Sequence, residues 1–290
     1  MKIVSKFPIA KNIKLYRTIQ NIVNPKLIKD AQYLDDTLSG VKIRIFDPKK
    51  SSKLIIYIHG GGWVSGNIDT HSNICLKLAE VLNRKVIAID YRLAPEFPYP
   101  AGFLDCYEVI KTIMDNIASF GITWDDVIIM GDSAGANLTF AVSLKGFYEK
   151  TFRTGKLILI YPATQTDYTL SSKYHSLFTN DSKGFLSRKN LEDYINMYIP
   201  DVTRRNDIYV NLLKAKHLFG LPKTLIITGT EDPLHDEGLA LAQKLKRHLV
   251  SVKHYDIKGA PHGYFNNILD KKYTKIAIKY IKEFVGDNIE

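Results

Sequence analysis

Ser133 stands between two glycines in Gly131-Asp132-Ser133-Ala134-Gly135, directly after the apolar run 127–130 and ahead of a helix-like stretch over 136–150. Glycine on both sides lets the chain turn tightly around a strained serine, the geometry of a nucleophile on a sharp strand-to-helix turn. Earlier, His59-Gly60-Gly61-Gly62 follows a second apolar run, 54–58. A glycine loop there can aim backbone N–H groups at the place where an oxyanion would form. By ordinary residue frequencies G-x-S-x-G arises by accident in about one such chain in ten, and HGGG in about one in several hundred. Both together, in this order and each behind a strand-like run, point to acyl transfer. A phosphate-binding loop is the alternative, but neither G-K-[ST] nor G-x-G-x-x-G is present.

A serine hydroxyl is a weak nucleophile without a base, usually histidine. Of eight histidines, His262 is the one in a stiff loop, Gly259-Ala260-Pro261-His262-Gly263, between the last strand and the last helix. His248 and His254 fall inside regular elements, and His175 and His217 fall in an aromatic-rich insertion. His71 suits a helix start, and His59 belongs to the glycine loop, which it braces. The base needs a carboxylate to orient it. Asp232, after the run 224–228 and stiffened by Pro233, is favoured. Glu231, Asp236 and Glu237 are rivals in the same segment, with Asp236 the best placed to cap a helix.

The elements that must hold these groups are legible as short apolar runs at 41–46, 54–58, 86–90, 127–130, 157–160, 224–228 and 252–257. Most are continuous and not alternating, as expected for strands buried on both faces of a parallel sheet. A further strand near 29–34, with Thr37-Leu38-Ser39-Gly40 as its turn, would add an antiparallel edge pair. Helical periods fall between the runs. Phe103, Tyr107, Ile110, Met114 and Ile117 form one stripe ending near Gly121, Leu241, Leu245 and Leu249 another, and a last helix starts near Lys272. Alternation of this kind predicts an α/β fold.

Two stretches break the rhythm. Residues 1 to about 36 look helical and amphipathic, with no sheet strand. The segment 165–217 carries Tyr168, Tyr174, Phe178, Phe185, Tyr194, Tyr198 and Tyr209, and is too long for a structureless loop. Both are expected to build a helical cap on one domain spanning 1–290.

Composition excludes several other classes. The chain is 45% hydrophobic and 24% charged, ordinary for a folded domain. The net charge of +10 is spread over scattered lysines without a nucleic-acid-binding module, so no nucleic-acid partner is expected. Cys75 and Cys106 are too few for a disulfide framework and have no metal-ligand spacing. No run approaches the ~18 apolar residues of a membrane span, and Lys6, Pro8 and Lys11 interrupt any signal-like segment. A cytoplasmic protein with no metal or organic cofactor is expected, as a monomer or a homodimer.

Several segments in order resemble the hormone-sensitive-lipase family of α/β-hydrolases, the bacterial carboxylesterases with HGGG upstream of G-D-S-A-G. His59-Gly60-Gly61-Gly62-Trp63 matches the glycine motif and its aromatic, and Asp90-Tyr91-Arg92-Leu93-Ala94-Pro95-Glu96 a characteristic D-Y-R-L-A-P-E. Residues 131–138 match the serine turn, Asp232-Pro233-Leu234-His235-Asp236-Glu237 the acid-bearing D-P-L-x-D-E, and His262-Gly263-Tyr264 the histidine loop. Ala136 stands where the family mostly has glycine, and Tyr264 where phenylalanine is commoner. The resemblance covers nearly the whole chain. It implies an eight-stranded, mostly parallel sheet with a cap, a Ser133–His262–Asp232 triad, and an oxyanion hole of Gly61, Gly62 and Ala134 N–H groups.

The expected activity is therefore hydrolysis of small-molecule esters with acyl chains of roughly two to six carbons, because bulky aromatics would close the pocket. Trp63, Phe185 and Tyr194 are the expected limits of that pocket. The runner-up is an amidase or N-deacetylase with the same triad. A non-catalytic receptor on this fold is disfavoured, since serine, acid and histidine are all present.

Overall fold

The computed structural model describes residues 9, 12–23, 31–266 and 271–286. Eight strands form one sheet in the order β1-β2-β4-β3-β5-β6-β7-β8. They are β1 Leu34–Leu38, β2 Val41–Phe46, β3 Leu54–Ile58, β4 Lys85–Ile89, β5 Val127–Asp132, β6 Lys156–Ile160, β7 Lys223–Glu231 and β8 Val252–Pro261. Pairings from β4 to β8 are parallel, and β2 runs antiparallel to both its neighbours. The continuous apolar runs are explained by two hydrophobic layers. Leu54, Ile56, Ile58, Val127 and Ile129 face one side, and Ile55, Tyr57, Ile128 and Met130 the other.

Helices α1 Ile13–Val23, α3 Ala101–Asp115, α4 Ala134–Glu149 and α7 His235–Arg247 belong to the first side, through residues such as Tyr16, Phe103, Leu138 and Leu241. On the second side lie α2 Ile68–Leu82 and α8 Lys272–Val285, through Leu78, Ala79, Ala277 and Ile281. Full burial of the leucine and isoleucine side chains among these contributes about 1.5–3 kcal/mol each relative to exposure. Local chemistry sets the ends. Asn67 and Thr70 form a reciprocal capping box at the start of α2, and Asn83 stops the helix in the left-handed conformation.

The N-terminal expectation needs correcting. Residues 34–36, expected within a helical region, lie in β1, and of the strand expected at 29–34 only Leu34 is in it; residues 29 and 30 lie outside the described residues. Thr37 and Leu38 are strand, and the turn is Ser39-Gly40, both with positive φ (53° and 77°), as a two-residue hairpin requires. The edge strand is mostly exposed, so no apolar run announces it. Backbone pairing and the Arg44–Asp35 ion pair (2.6 Å) hold it to β2.

Between β6 and β7 the chain leaves the sheet over residues 161–222, carrying α5 Ser176–Thr179 and α6 Arg188–Tyr198. Helix α1 meets this excursion where the Tyr16 and Tyr194 hydroxyls bond at 2.6 Å. Loops from the C-terminal ends of β3, β5, β7 and β8, all parallel, open on the same sheet edge, where α/β sheets place their sites.

Candidate active site

Ser133 joins β5 to α4 at φ 55°, ψ −121°, a conformation a side-chain-bearing residue rarely adopts. Its N–H bonds Ile160 O at 2.9 Å. The turn is possible because Gly135 has no side chain: a Cβ there would lie 2.1 Å from Ile58 O. The surrounding contacts hold the strain, which is typical of functional sites.

His262 and Asp232 reach Ser133 through strand register. The parallel β7–β8 pair matches Glu231 with Pro261, across an irregularity after Gly229, so the next residues of the two strands emerge side by side. His262 Nδ1 lies 2.7 Å from Asp232 Oδ2, and Nε2 lies 2.9 Å from Ser133 Oγ. An ionised carboxylate can only accept, so Nδ1 carries the proton and Nε2 accepts from the serine hydroxyl. Asp232 is fully buried, and its other oxygen accepts the Leu234 N–H at 2.8 Å. Tyr161 packs on the imidazole with ring centroids 4.6 Å apart.

The three rival carboxylates do not meet His262. Glu231 ends β7. Asp236 does not cap α7, whose first residue is His235; it accepts the Ser176 N–H of α5 at 2.8 Å. Glu237 is buried and accepts from Thr164 N (2.7 Å), Gln165 Nε2 (3.0 Å) and Tyr168 Oη (3.2 Å). Burial, with Asp232 nearby, pushes Glu237 up to about 8 against those three donors. Asn180 adds a further tie, donating to both Thr230 O and Asp232 O at 3.1 Å. These anchors of the excursion are invisible to motif inspection, because their partners are distant in sequence.

The glycine loop lies beside the serine turn. Among the described residues no hydrogen bond is made by the N–H of Gly61 or Gly62, and Ala134, as first residue of α4, has an N–H without an intrahelical acceptor. Asp132 holds the two motifs together. Its Oδ1 accepts the Gly60 N–H (3.0 Å) and the Tyr57 hydroxyl (2.8 Å), with His71 Nε2 at 3.5 Å. Burial alone would raise this carboxyl, but His71 and these hydrogen bonds hold it below its usual range. His71 thus sits inside α2 and faces the loop; Asn67, not His71, caps that helix. Burial, and then His71, push His59 down to about 3, so its ring is neutral. The His59 Nδ1–H donates to Gly60 O at 2.8 Å while the ring stacks on Tyr91 at 4.3 Å.

The three expected pocket residues separate. Tyr194 lies over the glycine loop: a Cβ on Gly62 (φ 63°) would sit 2.5 Å from its ring. Trp63 is buried and stacked on Tyr198 of α6 at 4.7 Å, so its face is covered by protein. Phe185 is exposed, next to Gly184, whose backbone approaches Pro261.

An activated serine with adjacent N–H donors can attack a carbonyl carbon and hold the resulting oxyanion. Comparison with known proteins agrees with this chemistry. Residues 55–266 match the family described as the alpha/beta hydrolase fold. An arylesterase of Saccharolobus solfataricus is 34% identical, over 81% of this chain and 76% of its own. A carboxylesterase of Mycobacterium tuberculosis is 31% identical over 80% and 73%. The solved structure of a hyperthermophilic esterase from the archaeon Pyrobaculum calidifontis superposes with a TM-score of 0.83 at 26% identity, over 95% of this chain and 90% of that one. The chain belongs to the alpha/beta hydrolase fold family, among the carboxylesterases of its hormone-sensitive-lipase branch.

Proposed function

We infer that this ester hydrolase acts on soluble esters of short carboxylic acids by two-step acyl transfer. His262 Nε2 takes the proton of Ser133 as Oγ attacks the ester carbonyl, and Asp232 holds the imidazolium. The oxyanion is received by the N–H groups of Gly61, Gly62 and Ala134, each such donor contributing about 3–4 kcal/mol in comparable sites. The C–O bond to the alcohol breaks as His262 returns its proton to that oxygen. Water, deprotonated by the same imidazole, then attacks the acyl-serine, releasing the acid and restoring Ser133. The observation that carries this reading is the continuous Asp232–His262–Ser133 hydrogen-bond chain beside the glycine loop.

Helix α1 and the excursion 161–222 act as a cap over this edge. Tyr194 against Gly62 supports a short acyl pocket, since a longer chain would meet packed aromatic rings. Two buried free thiols support a cytoplasmic enzyme, and among the described residues no helix is long and apolar enough to cross a membrane. The test is a panel of acyl esters of graded length on the purified protein, with a fluorophosphonate probe. Best turnover is expected at acyl chains of about two to six carbons, falling once the chain outgrows the pocket. Ser133→Ala should lose both label and turnover. Retained turnover would refute the nucleophile, and a preference beyond about ten carbons would refute the short pocket. Matched anilides tell an amidase from an esterase.

A further inference from the structure

His235 opens α7 three residues after Asp232, and its N–H returns to Asp232 O at 3.1 Å. Its ring spans two carboxylates. Nδ1 lies 3.0 Å from Asp236 Oδ1 and Nε2 3.0 Å from Asp256 Oδ1. Asp256 belongs to β8, the strand that delivers His262, and accepts from the Thr228 hydroxyl of β7, which also meets His254 Nε2 at 2.8 Å. Asp236 bonds Ser176 twice, by Oδ2 to its N–H (2.8 Å) and by its own N–H to Oγ (3.1 Å). The result is an unbroken polar chain from the excursion, through the first turn of α7, to β8 and β7. It brackets the loop that holds Asp232 and ties it to the strand that holds His262.

A neutral imidazole has one N–H, so only the protonated ring donates to both carboxylates at once. We propose that His235 is a positioning residue for the reaction: as an imidazolium between Asp236 and Asp256 it locks the Asp232 loop to the His262 strand, and loss of its second N–H sets the alkaline limit of turnover. The proposal rests on the triad reading above.

The charged neighbours agree in sign. Asp256 foremost, then Asp236, raise the His235 ring to about 9 against its partial burial. Facing the cluster are His254 of β8, whose ring burial lowers, Lys246 of α7 beyond it, and Tyr174 of the excursion beside Asp236. Asp256, held down to about 2 by His235 above all, stays ionised throughout. The bridge is therefore intact below the ordinary histidine range and is lost as pH rises through about 9.

The test is kcat and KM for a soluble short-chain ester, followed by pH-stat from about pH 6 to about pH 10.5, on wild type, His235→Arg and His235→Ala. Wild-type kcat should fall on the alkaline side with a midpoint near 9. His235→Arg, permanently charged and able to span two carboxylates, should keep near-wild-type kcat and lose that limb. His235→Ala should lower kcat about ten-fold at neutral pH with KM little changed, the signature of lost orientation. An alkaline limb at the same midpoint in the arginine variant overturns the proposal. So does wild-type kcat in the alanine variant. Should the alanine variant not fold, the arginine profile alone decides. Failure of the triad reading is separate and would appear as turnover by Ser133→Ala.

Discussion

At the residue scale the proposed triad turns on Asp232. Its Oδ2 accepts from His262 at 2.7 Å, whereas Asp236 bonds α5 and His235 instead. Asp232→Asn should leave the fold intact and cut kcat by up to about 10⁴-fold, because an amide can present the wrong group to Nδ1. Asp236→Asn should cost far less. Turnover of the two purified variants checks this, and a reversed order would move the acid to Asp236. Tyr264 offers a second residue-scale prediction. Its hydroxyl is fully buried and has no hydrogen-bond partner among the described residues. Desolvating such a group without compensation costs about 1–3 kcal/mol. Tyr264→Phe should therefore raise thermal stability by roughly 1 kcal/mol and leave kcat near wild type. A lower unfolding temperature would mean that the hydroxyl has a partner after all.

Elements position the glycine loop. From below, Asp132 at the end of β5 receives the Gly60 N–H; from above, the α6 ring of Tyr194 closes on Gly62 and is itself tied to α1 by Tyr16. Arg17 extends this tie, donating to Val64 O at 2.7 Å and Ala94 O at 2.8 Å while pairing with Glu96. Removing the Tyr194 ring should thus change what fits beside the loop. Tyr194→Ala is expected to move the preferred acyl length upward, gaining about 0.8 kcal/mol, or roughly four-fold in kcat/KM, for each methylene newly accommodated. Tyr194→Phe, which loses only the hydroxyl bond to Tyr16, should keep the wild-type preference. The ester panel on both variants reads this directly. An unchanged length profile in Tyr194→Ala would remove Tyr194 from the pocket wall.

Across the whole molecule, pH acts through titratable groups that lie between the excursion and the sheet, Glu237 buried and Asp256 exposed. Glu237 is raised to about 8, above the usual glutamate range, so between about 4.5 and 8 the folded protein binds a proton that the unfolded chain has lost. This one group therefore makes the fold less stable as pH rises through that window. Glu237→Gln should flatten the pH dependence of the unfolding temperature there, whatever it does to the absolute value. An unchanged slope between pH 5 and 8 would show that Glu237 is ionised throughout. Asp256 works in the opposite sense. Held down to about 2, chiefly by His235, it contributes stability above the ordinary aspartate range that is lost as pH falls toward 2.

Much of this architecture could be read from local sequence. Continuous apolar runs marked the interior parallel strands, because a strand covered on both faces needs apolar residues on both. The serine turn and the glycine loop were visible because their backbone conformations tolerate few residue types. What depends on distant partners was not visible. Edge strand β1 was expected as an antiparallel edge pair but placed too early, at 29–34, because it has no apolar signature and its support is the backbone of β2 and Arg44. The hairpin register gives Thr37 and Leu38 to the strand and leaves only Ser39-Gly40 to turn. Among the carboxylates at 231, 232, 236 and 237, position after the run 224–228 and ahead of Pro233 favours Asp232 but leaves the other three as rivals. Only the β7–β8 register, with Glu231 opposite Pro261, brings Asp232 to His262 and turns its neighbours elsewhere. Asp132, in full view within the serine motif, has partners on β3, in the glycine loop and on α2 that no spacing rule connects to it. Sequence determined the interior elements and the serine and glycine turns, because these follow from short-range sterics and the period of burial. The tertiary structure decided the pairing of polar groups, because sheet order and register bring residues far apart in the chain within hydrogen-bond reach.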